Sequence, residues 1–266
     1  MGLRSADFER LLKPVITSAP LEVTVVGDID EARAVQAVAK TLGALPPRKP
    51  VPDRSERPPF MTYPTRFTGI VRATHEGAAE KALVGMIWPL YVAVPERRRE
   101  EYALNLLEGV FQDALRHRVR EALGKSYSPA VSLAMPDYAD QGSLTVMVET
   151  SPADAEAVAA EIEQLAADLA RGGVTAQALE EVRTPLLAGR AKERETNTWW
   201  LQTLDGSARH PEWLKDAVEW ERMIRSITLA EVQRAAATWL SRPHLTAFAL
   251  PQANAAQASA GAAAVR

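Results

Sequence analysis

The chain has 266 residues, a formal net charge of −3 and no cysteine. Hydrophobic residues make up 47% and charged residues 24%, as in globular proteins with a sizeable core. The lack of cysteine excludes disulfides, cysteine-ligated zinc and thiol catalysis, and the lack of a basic excess argues against a nucleic-acid partner. No apolar run predicts a membrane span, and no signal peptide is visible at the N-terminus.

The first 59 residues predict two helices, one strand and a linker. A helix over 6–15 precedes an apolar, β-branched strand at Leu21–Gly27. A second helix is predicted over 30–43, with Asp30 as its N-cap. Six prolines lie between positions 46 and 59, which is typical of an extended linker.

The remainder of the chain predicts strands alternating with helices. Strands are expected at 66–76, 81–91, 126–136, 142–150 and 245–251, and helices at 95–124, 153–173, 175–204, 211–224 and 228–240. Pro185 is expected to bend the helix in which it lies. We therefore expect an α+β fold, with a mostly antiparallel sheet and several helices packed on one face. The small-residue tail at 252–266 predicts disorder.

The two ends of the chain resemble each other. In LLKPVITSAPLEVTVVGD near the start and AATWLSRPHLTAFALPQ near the end, a helix end is followed by a proline and then an apolar strand. This repeat predicts that residues 1–45 are the closing strand and helix of a preceding domain, and that residues 60–251 form one full copy. A coincidence between two short apolar segments is the alternative.

Familiar catalytic motifs are absent from the sequence. It contains no GxSxG, P-loop or GxGxxG pattern. The stretch THEGAAEK around His75 lacks the second histidine of HExxH and the Glu-His pair of HxxEH, so we do not expect a zinc ligand there. The other histidines, His117, His210 and His244, show no metal spacing either.

Two further groups of residues predict structure and not chemistry. The paired carboxylates Glu100–Glu101 and Glu180–Glu181 are interpreted as solvated helix charges. The five tryptophans at positions 199, 200, 213, 220 and 239 are interpreted as core and helix-packing residues.

The stretch RVREALGKSYSPAV, residues 118–131, links the long helix to the next strand. Arg116, Arg118 and Arg120 would complement the negative end of the helix dipole, and Tyr127 would pack as a strand aromatic. The combination is nevertheless specific: Arg120 is followed by glycine at i+4 and by Tyr-Ser at i+7. It resembles the second-half signature of the M16 (pitrilysin/insulinase) peptidases.

Two other stretches are similar to the same family. GDIDEARAVQAVAKTLGALPPR resembles the strand and helix that end a domain of this family. GSLTVMVETSPADAEAVAAEIEQLAADLARGGVTAQALEEVRTPLL resembles its strand, helix, G-V-T turn and following helix. The Tyr-Ser-Pro variant resembles the long, PqqL-like bacterial members.

The resemblance implies a chain that is one half of an enzyme. Family members enclose a chamber between an N-terminal half, which binds zinc through HxxEH and a distal glutamate, and a C-terminal half without that motif. This chain would be the C-terminal half, preceded by the tail of the domain before it. It would hold no cofactor, and zinc would be bound in the N-terminal half, on the same polypeptide or on a partner subunit. The location implied is the periplasm.

The resemblance also implies roles for two residues. Arg120 and Tyr127 would donate hydrogen bonds to a carbonyl of the peptide substrate or to the developing oxyanion. An edge strand of this half could pair with an extended peptide. Cleavage would need both halves, so the chain alone would be inactive. The alternative is a non-catalytic scaffold or a processing-complex subunit that kept the fold and lost the chemistry.

Overall fold

The computed structural model describes residues 4–50, 68–91, 97–123, 128–136, 141–208 and 210–252. Their contacts divide the chain into two compact units. Unit 1 combines Met1–Pro58 with Leu186–Arg222, and unit 2 combines Pro59–Pro185 with Met223–Arg266. The predicted linker beyond residue 50 and the predicted tail beyond residue 252 lie outside the described residues.

Helices and strands alternate along the described residues. The helices are α1 (Ser5–Ser18), α2 (Glu31–Lys40), α3 (Arg97–Leu123), α4 (Ala155–Asp168), α5 (Ala176–Glu193), α6 (Asn197–Leu204), α7 (Glu212–Ser226) and α8 (Leu229–Trp239). The strands are β1 (Gly69–His75), β2 (Ala82–Tyr91), β3 (Pro129–Ala134), β4 (Gln141–Thr150) and β5 (Leu245–Pro251). A short 3₁₀ turn, Leu42–Ala44, follows α2, and a π turn, Leu169–Gly173, follows α4.

Unit 2 contains one five-stranded sheet with the order β1-β5-β2-β4-β3. β1 and β5 are parallel, whereas the three other neighbouring pairs are antiparallel. In the register, Trp88 of β2 lies opposite Leu144 of β4, and Gly85 lies between Met147 of β4 and Ala247 of β5. The predicted mostly antiparallel sheet is therefore confirmed.

The core of unit 2 lies on one face of this sheet. Alternate residues of β2, from Val84 to Leu90, are buried, as are Leu144 and Val148 of β4. Successive side chains of a strand point to opposite faces, so these residues share a face. The helices α4 and α8 contact β2, and α3 contacts α4, α8 and β3. Met147, on the opposite face, is 43% exposed. The prediction of helices on one face is confirmed.

Two predicted elements were wrong in detail. Leu21–Gly27 is not a strand, because its backbone has no strand partner among the described residues and a strand needs one. The helix predicted over 175–204 is two helices, α5 and α6. Thr196 starts the second one, since its hydroxyl accepts a hydrogen bond from the Trp199 amide at 3.2 Å. Pro185 lies inside α5.

Unit 1 is held by a few polar and aromatic contacts among its described residues. The Glu22 carboxylate accepts a hydrogen bond from the Ala208 amide at 3.1 Å. The guanidinium of Arg190 lies between two tryptophan rings, 5.0 Å from the centroid of Trp199 and 4.7 Å from that of Trp220. Such cation–π contacts stabilise the association of α5, α6 and α7 residues within this unit.

Candidate functional site

The last turns of α3 carry the three arginines that the sequence singled out. Arg116 pairs with Asp113, one turn earlier on the same helix, at 3.2 Å. Arg118 donates to the Asp168 carboxylate at 2.8 Å and lies 3.7 Å from Glu161, so it connects α3 to α4. Both arginines therefore have local structural partners.

The third arginine, Arg120, is different. Its side chain is exposed, and it has no hydrogen-bond or ion-pair partner among the residues that the structure describes. The preceding residue, Val119, is only 1% exposed, so the helix beneath Arg120 is anchored in the core. A charged group on a rigid element, with no partner among the described residues, is suited to bind a carbonyl or carboxylate.

Tyr127, the second predicted site residue, lies outside the described residues. Its neighbour Ser128 is exposed and leads into β3. The contact predicted between Arg120, Tyr127 and one ligand stays a prediction.

The carboxylate of Asp168 is stabilised by more than Arg118. Hydrogen bonds from Gln164 and then from Arg171 and Arg118 lower its pKa below the usual value, against the opposing effect of burial. Asp168 thus stays ionised and keeps Arg118 fixed on α4. This network explains why Arg118 is a structural arginine.

Side chains of α3 form hydrogen bonds along the free edge of β3. The sequence did not predict this contact. Gln112 accepts from the Val131 amide at 2.8 Å and donates to the Pro129 carbonyl at 2.9 Å. Glu108 accepts from the Leu133 amide at 3.1 Å. An added peptide strand would use these same backbone groups, so it could pair here only by displacing both side chains.

The burial of Glu108 has an electrostatic consequence. Desolvation raises its pKa above the usual value, and the hydrogen bond from Leu133 opposes this only in part. The i,i+4 spacing of Glu108 and Gln112 was the available signal, since it places both side chains on one side of α3.

The other sheet edge, β1, is exposed along six of its seven residues.

His75 has a structural role. Its Nδ1 accepts a hydrogen bond from the Gly77 amide at 3.1 Å, and its Nε2 lies 3.1 Å from the Lys81 carbonyl. Because Nδ1 accepts, the proton of the neutral ring is on Nε2, and both nitrogens are used in the β1–β2 turn. His75 therefore has no nitrogen left for a metal.

The described residues do not fit a zinc ion. No group of three or more histidine, cysteine, aspartate or glutamate side chains in this part of the chain is arranged to hold a metal. His117 is exposed on α3. His210 is buried, stacks on Trp213 at 4.4 Å between ring centroids, and lies 3.2 Å from Glu212.

The prediction of solvated carboxylates was wrong for Glu100 and Glu101. Glu100 accepts a hydrogen bond from the Trp239 indole at 2.8 Å, which connects α3 to α8. Glu101 forms a largely buried ion pair with Arg97 at 2.7 Å. Both are therefore packing contacts of the helical layer. Glu180 and Glu181 are exposed, as predicted.

A five-stranded, mostly antiparallel sheet with helices on one face is also the fold of solved structures similar to this chain. The model of the Peptidase M16 inactive domain matches residues 6–186, more than half of the chain. The chain therefore belongs to this family, as an inactive, C-terminal-type M16 domain. A search of the curated proteins gives no significant match.

Solved structures share the fold. The periplasmic protease PqqL from Escherichia coli is 18% identical with a TM-score of 0.60, covering 85% of this chain and 25% of that one. A conserved protein from Enterococcus faecalis V583 is 17% identical with a TM-score of 0.68, covering 95% and 57%. A peptidase M16 inactive domain from Pseudomonas fluorescens is 18% identical with a TM-score of 0.64, covering 85% and 52%.

The chain thus spans from a quarter to just over half of the length of these three structures. None of the helices in the described ranges is long and apolar enough to cross a bilayer.

Proposed function

We propose that this chain is the substrate-binding half of an M16 zinc peptidase, and that Arg120 and Tyr127 contact the peptide. The observation that carries the proposal is the contrast between the arginines of α3. Arg116 and Arg118 have acidic partners, whereas Arg120 is exposed and has none among the described residues. Membership of the M16 inactive-domain family supports the same role.

The two side chains would bind and orient the peptide. The guanidinium of Arg120 can donate to two acceptors at once, which suits a peptide carbonyl and its neighbour. The Tyr127 hydroxyl would donate one hydrogen bond to the oxygen on which negative charge develops. Zinc bound to the other half would activate water there, and the described residues of this chain offer no site for it.

The partner in this proposal is the N-terminal half, on the same polypeptide or on a partner subunit. The chain covers only part of each similar structure, which supports an enzyme assembled from more than this chain. The similarity to a periplasmic protease supports a periplasmic location.

The second candidate is a non-catalytic scaffold or processing-complex subunit. The occupied edge of β3 favours it, because Gln112 and Glu108 take backbone groups that an extended substrate could otherwise use. A full-length protein without peptidase activity on any peptide, although folded and loaded with zinc, would support this candidate.

Steady-state kinetics of the full-length enzyme tests the first proposal. Tyr127→Phe keeps the ring and removes one donor, and we expect turnover to fall by about 10²–10³-fold. Arg120→Ala should raise KM as well as lower turnover. Arg116→Ala is the matched control, since it removes an exposed arginine from the same helix end and should leave both constants near wild type. Thermal melts measured in parallel would identify any loss of folding.

Wild-type turnover per folded molecule in both Tyr127→Phe and Arg120→Ala would contradict the assignment. Equal losses in Arg116→Ala and Arg120→Ala would also contradict it, because a general effect of helix-end charge would then explain the result.

A further inference from the structure

The two edges of the sheet in unit 2 differ in what their backbone groups bind. Along β3, side chains of α3 already form hydrogen bonds with the backbone groups that point away from the sheet. Along β1, the backbone has a strand partner on one side only, which is β5. A strand edge with unpaired N–H and C=O groups is a template for another extended chain. The sheet therefore has one closed edge and one open edge.

The register of β1 identifies the open backbone groups. The Gly69 amide donates to the carbonyl of His244, just before β5, at 3.2 Å. The His75 carbonyl accepts from the Gln252 amide, just after β5, at 2.8 Å. Because successive residues of a strand direct their N–H and C=O to opposite sides, the odd-numbered residues of β1 face β5. The outward residues are the even-numbered ones, whose backbone groups have no hydrogen-bond partner within the described ranges: Ile70, Arg72 and Thr74.

The side chains of the outward residues lie on the helical face of the sheet. The Arg72 guanidinium lies 4.3 Å from the ring centroid of Phe248, a buried core residue, and its Nη2 lies 2.6 Å from the Glu156 carboxylate of α4. Ile70, two positions earlier and therefore on the same face, is 67% exposed. An added strand would place its own side chains beside this apolar residue and this cation.

A second copy of β1 is a poor partner for this edge. Antiparallel pairing of all seven residues of two β1 strands would place Arg72, the central residue, opposite the same arginine of the other copy. Like charges directly opposite each other destabilise a sheet. An acidic side chain is favoured at that position, because the guanidinium has five donors and Glu156 is its only acidic partner among the described residues.

We propose that β1 binds an extended peptide as a sixth strand, with an acidic side chain beside Arg72 and an apolar one beside Ile70. The peptide would carry these two residues two positions apart, since Ile70 and Arg72 have that spacing. Backbone hydrogen bonds to the outward groups of β1 would hold the peptide, and the two side chains would select its sequence. The inference does not depend on the roles proposed for Arg120 and Tyr127.

Fluorescence anisotropy with a labelled peptide, Ser-Val-Thr-Glu-Thr-Val-Ser, tests the binding to the 266-residue chain. This sequence is the same in both directions, so the glutamate has a valine two positions away whichever way the strand runs. We expect saturable binding. A chain that shows none at about millimolar peptide would overturn the inference.

N-methylation of the peptide tests whether an edge is used. A strand added to an edge is hydrogen-bonded along one side only. Methylating one alternate set of peptide amides should therefore weaken binding about tenfold or more, whereas methylating the other set should have little effect. Equal effects of the two sets would contradict strand addition.

A charge exchange tests the position of Arg72. Replacing the glutamate of the peptide by lysine should weaken binding about fivefold. Arg72→Glu should reverse this preference, so that the lysine peptide binds better. Lys81→Glu is the matched control, since it makes the same change of charge at an exposed residue outside β1 and should leave the preference unchanged. An unchanged preference in Arg72→Glu would contradict the proposed contact.

Hydrogen–deuterium exchange locates the peptide. Saturating peptide should slow the amides of Ile70, Arg72 and Thr74 about tenfold and leave those of Val131 and Leu133 unchanged. Protection of the Val131 and Leu133 amides would place the peptide at β3 and overturn the inference. Light scattering is measured on the same samples. Protection of β1 that appears without peptide as the chain dimerises would assign the edge to a second copy and overturn the committed partner.

A proline variant closes the edge without disturbing the rest of the sheet. Thr74→Pro removes an amide that points away from β5, so the bonds between β1 and β5 are kept. We expect it to abolish peptide binding, whereas Thr74→Ala, which keeps the amide, should bind like wild type. Thermal melts measured in parallel identify any loss of folding. Wild-type affinity in a folded Thr74→Pro chain would contradict the proposed edge.

Discussion

The helix–proline–strand segment occurs twice in this chain, and its two copies have opposite environments. Trp239 of α8, four residues before Pro243, is 4% exposed, whereas Ile16 of α1, four residues before Pro20, is 65% exposed. The apolar spacing is the same in both, so the pattern specifies which face is to be buried but not what will bury it. Within unit 2, α3 and β2 contact the α8 copy.

The difference has an energetic meaning. Burying a large aliphatic or aromatic side chain contributes about 1.5–3 kcal/mol relative to leaving it exposed. The residues of α8 make this contribution within unit 2, whereas the stripe of α1 leaves it unused in the described structure. Substitutions in the two regions should therefore have very different effects on the free energy of unfolding.

Truncating a phenylalanine in each region should give the largest contrast. Phe111 of α3 is fully buried and packs edge-on against Trp88, so Phe111→Ala should lower the free energy of unfolding by about 3–5 kcal/mol. Phe8 of α1 is 51% exposed, so Phe8→Ala should change it by less than about 0.5 kcal/mol in the 266-residue chain. Urea unfolding monitored by circular dichroism measures both. A cost of several kcal/mol for Phe8→Ala would mean that α1 is already packed within this chain.

Two helical glycines sharpen the comparison of packing. A Cβ at Gly109 of α3 would clash with a methyl carbon of Val182 on α5. The crowding should outweigh alanine's helix preference of about 1 kcal/mol, so we expect Gly109→Ala to destabilise the chain by about 1–2 kcal/mol. A Cβ at Gly189 would have no neighbour within 4 Å, so Gly189→Ala should stabilise it by about 0.5–1 kcal/mol.

Thermal unfolding of the two glycine variants is the measurement. The double variant Gly109→Ala, Val182→Ala should lose less stability than the sum of the losses in the two single variants. The reason is that the shorter side chain at position 182 leaves space for the new Cβ at position 109. Stabilisation by Gly109→Ala alone would show that the contact between α3 and α5 is looser than described.

The smallest contrast is expected between the N-terminal caps of α8 and α1. Removing a capping carboxylate should lower the free energy of unfolding more at α8 than at α1. Glu231 accepts hydrogen bonds from the Thr228 amide and hydroxyl at 2.8 and 2.7 Å, and pairs with Arg99 of α3. The hydrogen bond from Arg99, followed by those from Thr228, lowers the pKa of Glu231 to about 2. We expect Glu231→Gln to cost about 1 kcal/mol at pH 7, since half of the Arg99 side chain is exposed and solvent screens the pair.

The pH dependence of this loss follows from the sign of the pKa shift. A lowered pKa in the folded state stabilises the protein above the unfolded pKa of 4.5, and the contribution disappears as the pH falls towards 2. The difference between wild type and Glu231→Gln in urea unfolding should therefore shrink as the pH falls from 4.5 towards 2. Asp7 at the start of α1 has only local, exposed partners, so Asp7→Asn should cost less at every pH. A pH-independent gap for Glu231→Gln would contradict the role of its charge.

Local patterns predicted much of unit 2. The β-branched and apolar residues of β2, β4 and β5 indicated strands, and the structure has strands there. The motif around Arg120 indicated a helix end followed by a strand, and Arg120 lies in the last turn of α3. The reason is that hydrophobic period, capping residues and turn residues act within a few positions of the chain.

Contacts between distant residues were not predictable in the same way. Gln112 and Glu108 occupy backbone groups of β3 that are separated from them by 17 to 25 positions, and the sequence does not record which edge they reach. Glu100 was expected in solvent, yet it accepts a hydrogen bond from Trp239, 139 positions away. Each of these partners is chosen by the way helices pack on the sheet.

The sequence by itself determined the class of fold, the apolar faces of α1 and α8, and the candidate arginine at the end of α3. Only the tertiary structure decided that β5 lies in the sheet between β1 and β2, whereas Leu21–Gly27 has no strand partner among the described residues. The physical reason is that a strand is formed by hydrogen bonds to a partner, which the strand's own residues do not contain. An apolar period is a property of one segment, whereas a sheet needs at least two paired strands.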